Sequence, residues 1–152
     1  MPHARELKRP ESVLVVIHTR ALECLLLERV QPAGFWQSVT GSLRWDETPA
    51  QAAAREVREE TGLDAATLRD AHRQNTFPIL PEWRARYADG VDSNLEHVWY
   101  LELPAPRDIV LAPREHLRYA WLPLEDAIGK VSSWTNREAL ERLRAADLGS
   151  PA

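Results

Sequence analysis

The chain of 152 residues is 44% hydrophobic and 28% charged, with a formal net charge of −4 and one cysteine. The length fits one domain with an ordinary core. A single cysteine excludes an intramolecular disulfide and a Cys-rich zinc site. The acidic net charge provides no basic surface of the kind that binds duplex nucleic acid. The longest apolar run, Val13–Ile17, is far shorter than the roughly 20 residues of a membrane span, and Met1–Arg9 lacks a hydrophobic signal segment. We therefore expect a soluble, cytoplasmic protein with a single domain over 1–152 and a core at about 8–146.

The N-terminal third of the chain predicts three strands. Ser12–Thr19 is rich in β-branched and apolar residues, which is typical of a buried strand, and Glu23–Glu28 is a second short apolar run. A turn at 31–34 leads into Trp36–Thr40, where apolar and polar residues alternate. We expect the first two strands to form a hairpin and the third to end at Gly41.

One helix has clear signals at both ends. Thr48 supplies an N-cap hydroxyl, Pro49 suits the first helical position, and Gln51 completes a capping box. Residues 50–60 contain neither glycine nor proline, and Gly62 is well placed to end the helix.

The C-terminal half predicts a long loop, two strands and two helices. Residues 75–94 look irregular, and long ordered loops of this kind often carry binding residues. Glu96–Leu103 and Arg118–Leu122 look like strands, and Pro123–Ile128 a short helix. A capping box at Thr135–Glu138 predicts a last helix to about Ala146, with a frayed tail after Asp147. Hairpin-linked strands with three helices favour an α+β layered domain.

The first helix has one acidic face. On a helical projection Glu56, Glu59 and Glu60 share a sector about 100° wide, while Ala53 and Val57 fall on an apolar stripe that suits packing against a sheet.

The sequence of the helix alone supports two interpretations of this acidic face. Glu56 and Glu60 are like charges at i,i+4, which costs a few tenths of a kcal/mol, and a hard divalent cation bound by carboxylates would offset that repulsion. The alternative is a solvated acidic face whose charges pair with Arg55 and Arg58.

The surroundings of the helix carry a longer motif. Gly41 precedes Glu47 by six positions, Arg55 follows eight later, and Arg-Glu-Val-Arg-Glu-Glu-Thr-Gly-Leu completes the stretch at 55–63. This arrangement resembles the Nudix box of the Nudix hydrolase family, and every fixed position of that box is present. The resemblance implies an α/β/α sandwich with a mixed sheet.

The resemblance also implies metal-dependent hydrolysis of a nucleoside diphosphate linked to another group. Mg²⁺, or alternatively Mn²⁺, would be the cofactor, with Glu56 and Glu60 as the principal ligands. Glu59 would be an additional ligand or a base, and Gly41 would supply a backbone ligand or a tight turn. A metal ion at these residues would neutralise phosphate charge and lower the pKa of bound water.

Other residues take supporting roles by the same resemblance. Arg55 would orient the carboxylates through ion pairs, and Glu47 would hold the loop to the helix. Phe35–Gly41 and Ser133–Arg137 are similar to a bacterial subfamily that hydrolyses dihydroneopterin triphosphate to its monophosphate and pyrophosphate in folate synthesis. By that likeness Glu115 would reach the metal as a ligand or as the general base, although an exposed salt bridge is the simpler alternative.

The subfamily resemblance further implies a set of substrate contacts, each of which also has a simpler structural explanation. Lys8 could be a solvated terminal lysine, Arg29 could form a surface ion pair, and Ser133 could only begin a helix. The lone cysteine, Cys24, lies in an apolar run and is expected in the core. The implied contacts are Lys8, Arg29, Thr40, Phe77, Pro78, Ile79, Leu80 and Ser133.

The expected partner is a small-molecule triphosphate substrate, with no duplex nucleic acid, no membrane, and a monomeric or homodimeric state. Within the hydrolase class, the alternatives are a dNTP or damaged-nucleotide pyrophosphatase and an mRNA-cap or dinucleotide hydrolase. From another class, the alternative is a non-catalytic nucleotide-binding module. The intact carboxylate set favours an enzyme.

Overall fold

The computed structural model describes residues 6–149, which form a seven-stranded mixed sheet with helices on both faces. The central strand β1 (Glu11–Thr19) pairs in parallel with β6 (Ser93–Leu103) and antiparallel with β2 (Glu23–Arg29) and β4 (Val39–Ser42). Within 6–149 no helix is long and apolar enough to cross a membrane. The remaining elements are β3 (Trp36–Gln37), β5 (Arg69–Pro78), β7 (His116–Pro123), α1 (Pro49–Thr61), α2 (Leu124–Lys130), α3 (Trp134–Gly149) and a 3₁₀ helix at Pro81–Arg86.

Two apolar cores lie on opposite faces of the sheet because side chains alternate along each strand. Val13 and Val15 of β1 face α1 and pack with Val57. Leu14 on the same strand faces the other way and packs with Leu140 of α3. Helices therefore cover both faces, which confirms the predicted α/β/α sandwich with a mixed sheet.

Helix α1 has the ends that the sequence predicts. The Thr48 side chain accepts a hydrogen bond from the Gln51 backbone N–H, and the Gln51 side-chain oxygen accepts one from the Thr48 backbone N–H. Gly62 adopts a left-handed conformation at φ 75°, and its N–H donates to the Arg58 carbonyl at 2.9 Å. These caps satisfy backbone groups that lack partners inside the helix.

The predicted single strand at Trp36–Thr40 is wrong in one respect, because it consists of two strands. β3 pairs with β2, whereas β4 pairs with β1 and sets Gly41 opposite Val13. The change of partner occurs at Ser38, whose backbone N–H donates to the Asn136 side chain at 2.8 Å instead of to a neighbouring strand.

The predicted irregular loop at 75–94 is also shorter than expected. Its first residues belong to β5 and its last two to β6. Most side chains of β5 are exposed or half-buried, since the strand lies at the sheet edge, and the sequence shows no apolar alternation there. Between the strands, the 3₁₀ helix at Pro81–Arg86 replaces part of the loop.

Helix α3 begins at Trp134, and its N-cap lies two residues before the predicted cap Thr135. The Ser133 hydroxyl accepts a hydrogen bond from the Asn136 backbone N–H at 3.2 Å, so Ser133 acts as the cap. Thr135 is instead buried, with 3% of its surface exposed. The helix continues to Gly149, and the rest of the predicted tail, 150–152, lies outside the described residues.

Candidate active site

Strand β4 passes very close to the acidic face of α1. A Cβ atom placed on Gly41 would lie 2.3 Å from the Glu56 carboxyl carbon, so glycine is required for this approach. Because Ala52, Ala53 and Val57 are fully buried beneath the helix, α1 is held firmly against the sheet. The Glu56 carboxylate therefore lies against the backbone of β4.

One guanidinium organises the acidic face. Arg55 donates from Nε and Nη2 to the two oxygens of Glu47 at 2.6 and 2.8 Å, and from Nη1 to Glu56 at 2.7 Å and Glu59 at 3.2 Å. Nη2 also donates to the Ser42 carbonyl at 3.1 Å. These are the contacts that the predicted orienting role of Arg55 and the predicted tie between Glu47 and the helix require, and both roles stay predictions.

The charges in this network stabilise one another. The hydrogen bonds from Arg55 lower the pKa of Glu47 to about 2, and the same bonds raise the pKa of Arg55 above its ordinary value. Glu47 also accepts a hydrogen bond from the Arg44 backbone N–H at 2.9 Å. The loop before α1 is thereby fixed at neutral pH.

Glu60 has a very different environment. Only 1% of its surface is exposed, and neither of its carboxylate oxygens accepts a hydrogen bond from the residues at 6–149. Burial raises its pKa well above the ordinary range, and the neighbouring Glu56 and Glu115 add to the effect. A buried carboxylate without donors is costly unless a cation compensates it.

A turn before β7 brings two more side chains to Glu60. Single ligand atoms of Glu60, Glu115 and His116 all lie within 4.8 Å of one another. Burial lowers the pKa of His116 to about 4, with the charge of Arg29 adding to the effect, so its imidazole is neutral at pH 7. Burial, followed by Glu56 and Glu59, raises the pKa of Glu115. The orphaned oxygens of Glu60 and the oxygen-rich donor set fit a hard divalent cation.

Cationic side chains border the carboxylates of Glu56, Glu60 and Glu115, which we call the acidic cluster. The Lys8 ammonium lies 5.9 Å from the Tyr87 ring centroid, and the Lys8 backbone N–H donates to the Arg86 carbonyl at 2.8 Å. The Arg29 guanidinium lies 5.7 Å from the Trp83 ring centroid. Burial lowers the pKa of both Lys8 and Arg29, and the positive charge of Arg86 lowers both further. Acidic and basic groups side by side suit a metal-bound polyphosphate.

The NUDIX domain family model matches residues 8–143. The chain belongs to this family. It is 45% identical over 140 residues to dihydroneopterin triphosphate diphosphatase of Escherichia coli (strain K12), covering 89% of this chain and 92% of that protein. The Haemophilus influenzae protein of the same name is 36% identical, with 89% and 87% covered. The solved structure of the E. coli dihydroneopterin triphosphate pyrophosphohydrolase matches with a TM-score of 0.83, covering 90% and 95% of the two chains at 45% identity.

Of the remaining predicted substrate contacts of this Nudix protein, Thr40 lies beside the carboxylates of α1. Thr40 precedes Gly41 in β4, and its hydroxyl donates to the Val13 carbonyl at 2.9 Å. Phe77–Leu80 covers the end of β5 and the residues before the 3₁₀ helix, and only 3% of Ile79 is exposed within it. Ser133 is half-buried at the start of α3, on the other face of the sheet.

Sequence reasoning missed His116 and Arg86 of the Nudix site. His116 directly follows Glu115, but a single histidine without a second at metal-ligand spacing predicts no site. Arg86 lies in the segment read as an irregular loop, and its place beside Lys8 depends on the contact between the N-terminal segment and the 3₁₀ helix. Only the fold brings these residues together.

Proposed function

We propose that this Nudix protein is a cytoplasmic enzyme that hydrolyses dihydroneopterin triphosphate to dihydroneopterin monophosphate and pyrophosphate, a step of folate biosynthesis. The observation that carries the proposal is the 45% identity to the E. coli diphosphatase over nearly the full length of both chains. Every fixed position of the Nudix box is kept in this chain between Gly41 and Leu63.

The cofactor in this proposal is Mg²⁺, with Mn²⁺ as a substitute. Glu56, Glu60 and Glu115 would hold it: single ligand atoms of Glu60 and Glu115 lie within 4.8 Å of each other, and Glu56 lies beside the backbone of Gly41. When bound, such an ion neutralises phosphate oxygens and lowers the pKa of coordinated water.

The other groups of the chain act on the substrate and on protons. Arg55 keeps Glu56 in place through a 2.7 Å hydrogen bond. The carboxylates of Glu59 and Glu115 are both exposed to solvent and are the two candidates to accept the proton of the attacking water.

The cationic side chains bind the phosphate tail in this proposal. Lys8 and Arg29 lie beside the carboxylates and have ammonium and guanidinium groups that suit phosphate oxygens. Thr40 and Ser133 would contact the substrate beyond the phosphates, together with 77–80.

The test is turnover with Mg²⁺ on dihydroneopterin triphosphate beside a panel of dNTPs, with pyrophosphate and orthophosphate detected separately. We expect a preference in kcat/KM for the pterin and release of pyrophosphate. Faster turnover of a dNTP would instead identify a nucleotide pyrophosphatase and overturn the pterin assignment. Binding without turnover of any substrate would identify a non-catalytic nucleotide-binding module.

The matched variants are Glu56→Gln and Glu60→Gln, which remove one charge each and preserve side-chain shape. We expect kcat to fall by orders of magnitude, because each carboxylate is proposed to hold the metal. Circular dichroism spectra that match the wild type would separate this loss from unfolding. Unchanged turnover in either variant would remove that residue from the metal site.

A further inference from the structure

A group of polar side chains lies on the α3 face of the sheet, away from the carboxylates of α1. The strand register places Ser12 of β1 beside Glu96 of β6, and Asn75 of β5 opposite Glu96 on the other side. In the same way Phe77 lies opposite Asn94. Side chains of directly paired residues share a face, so these five residues line one patch of the sheet. We call Ser12, Asn75, Asn94 and Glu96 the polar patch.

The polar patch is buried and rich in acceptors. Only 4% of the surface of Glu96 and of Asn94 is exposed. Asn75 Nδ2 donates to Glu96 Oε1 at 3.3 Å, and Asn94 Nδ2 donates to Ser12 Oγ at 2.8 Å. Asn94 Oδ1 is buried without a hydrogen-bond partner among the described residues. Asn94 Oδ1 therefore lacks a donor within 6–149, whereas Glu96 accepts from Asn75 and Thr135 and has carboxylate lone pairs left for further donors.

The polar patch lies where the apolar packing of this face ends. Along β6, Val98 and Tyr100 pack in the core beneath α2 and α3, whereas Glu96 and Asn94 precede them towards the strand start. The start of α3 is nearby, since the Thr135 side chain hydrogen-bonds Glu96. Burial raises the pKa of Glu96. Hydrogen bonds from a ligand to the ionised carboxylate would lower this pKa again.

Strand β4 connects the polar patch to the acidic cluster. Thr40 pairs with Leu14 of β1, and its chain neighbour Gly41 lies against Glu56. Two strand spacings and two residues of rise separate Thr40 from Glu96, which is about 12 Å. An extended heterocycle with a phosphate tail spans a distance of this size, so one substrate could reach both faces.

We propose that Glu96 and Asn94 bind the heterocyclic end of the substrate by accepting hydrogen bonds from a ring N–H and the adjacent exocyclic amino group. The inference rests on the proposed function, because a pterin carries this donor pair on its pyrimidinone ring. Guanine carries the same pair, whereas adenine and cytosine present an amino group beside a ring acceptor. Asn75 is a positioning residue that holds the Glu96 carboxylate.

The experiment compares wild type, Glu96→Gln and the control Glu102→Gln, which alters an exposed carboxylate of the same strand. Kinetics with dihydroneopterin triphosphate give KM and kcat, and two inhibitors probe the ends separately: neopterin for the heterocycle and pyrophosphate for the phosphates. We expect Glu96→Gln to raise KM and the neopterin inhibition constant by roughly ten- to hundredfold, as for a lost charge-assisted pair. Its kcat and its pyrophosphate inhibition should stay within about twofold of wild type, and Glu102→Gln should change nothing.

An equal loss of neopterin and pyrophosphate inhibition, or no change in either, would overturn the inference. If Glu96→Gln does not fold, Asn75→Ala provides the same test, and a rise in KM without a fall in kcat is the expected result. If wild type hydrolyses another triphosphate but not the pterin, the proposed function fails. Calorimetric binding of GTP against CTP then tests Glu96 by itself: a loss confined to GTP supports the inference, and any other result contradicts it.

Discussion

Arg55 is the residue on which the order of the acidic face depends, because one guanidinium serves three carboxylates and a backbone carbonyl. Lysine has a compact ammonium and cannot span these partners. We predict that Arg55→Lys lowers kcat/KM by roughly ten- to hundredfold and destabilises the fold by about 1.5–3 kcal/mol. Steady-state kinetics and urea unfolding measure the two effects.

The control for this variant is Arg58→Lys on the same helix, where the arginine side chain is exposed and forms no ion pair within 6–149. It should leave both quantities near their wild-type values. Equal losses in the two variants would show that Arg55 acts only as a helix residue and has no special role at the carboxylates.

Gly41 is the second residue whose identity follows from geometry. An alanine Cβ would overlap the Glu56 carboxylate, which Arg55 prevents from moving freely. We predict that Gly41→Ala raises the Mg²⁺ concentration for half-maximal activity by about tenfold or more, an increase typical of disturbed metal sites. Gly129→Ala is the control, since a Cβ there meets nothing within 4 Å. A normal Mg²⁺ requirement in Gly41→Ala would contradict the proposed metal position.

Residue types and spacing predicted only part of the site. Glu56 and Glu60 are recognisable because two like charges one helical turn apart require an explanation. Glu115 and Lys8 are far from them in sequence and came only from resemblance to a family. His116 has no sequence signal, since its role depends on burial beside Glu60, a property of the folded chain.

The stability of helix α1 depends on its caps, because loops precede and follow it and its terminal backbone groups have no partners within the helix. Thr48→Ala removes the acceptor of the Gln51 N–H and leaves that donor without its partner. We predict a loss of about 1 kcal/mol in the free energy of unfolding. Urea denaturation measures it, and Thr67→Ala in an exposed turn provides the comparison. Equal stabilities of the two variants would show that the cap contributes nothing.

Elements with a buried face could be predicted, and those without one could not. β1 is apolar along its whole length and α1 has both caps, so the sequence indicates them directly. β5 lies at the sheet edge with six of its ten residues exposed and none buried, so its pairing with β6 is what makes it a strand. The start of α3 shifted because two capping residues two positions apart, Ser133 and Thr135, compete, and packing buries the second.

The folded molecule as a whole carries an electrostatic strain at the carboxylate cluster. Glu60 is buried without hydrogen-bond donors, with Glu56 and Glu115 close enough to raise its pKa. A divalent cation that binds there stabilises the folded chain only. We predict that saturating Mg²⁺ raises Tm by about 3–8 °C at neutral pH, as measured by differential scanning calorimetry.

The variant that isolates this effect is Glu60→Gln. Without Mg²⁺ its Tm should be no lower than that of wild type, because one repelling buried charge is gone. Its response to Mg²⁺ should fall below about 1 °C, whereas Glu102→Gln at the surface should respond fully. A full Mg²⁺ response in Glu60→Gln would place the ion elsewhere.

The alternation of side chains along β4 has a consequence for how the ligand specificity of such a protein can change during evolution. Thr40 and Gly41 are adjacent, yet one faces the α3 side and the other lies against Glu56. If the proposed metal site and the proposed heterocycle site are right, bond cleavage and ligand selection take place on opposite surfaces of one sheet, separated by a single layer of backbone. Substitutions on the selecting surface leave the cleaving surface intact. Natural variation can therefore exchange one ligand for another without rebuilding the chemistry.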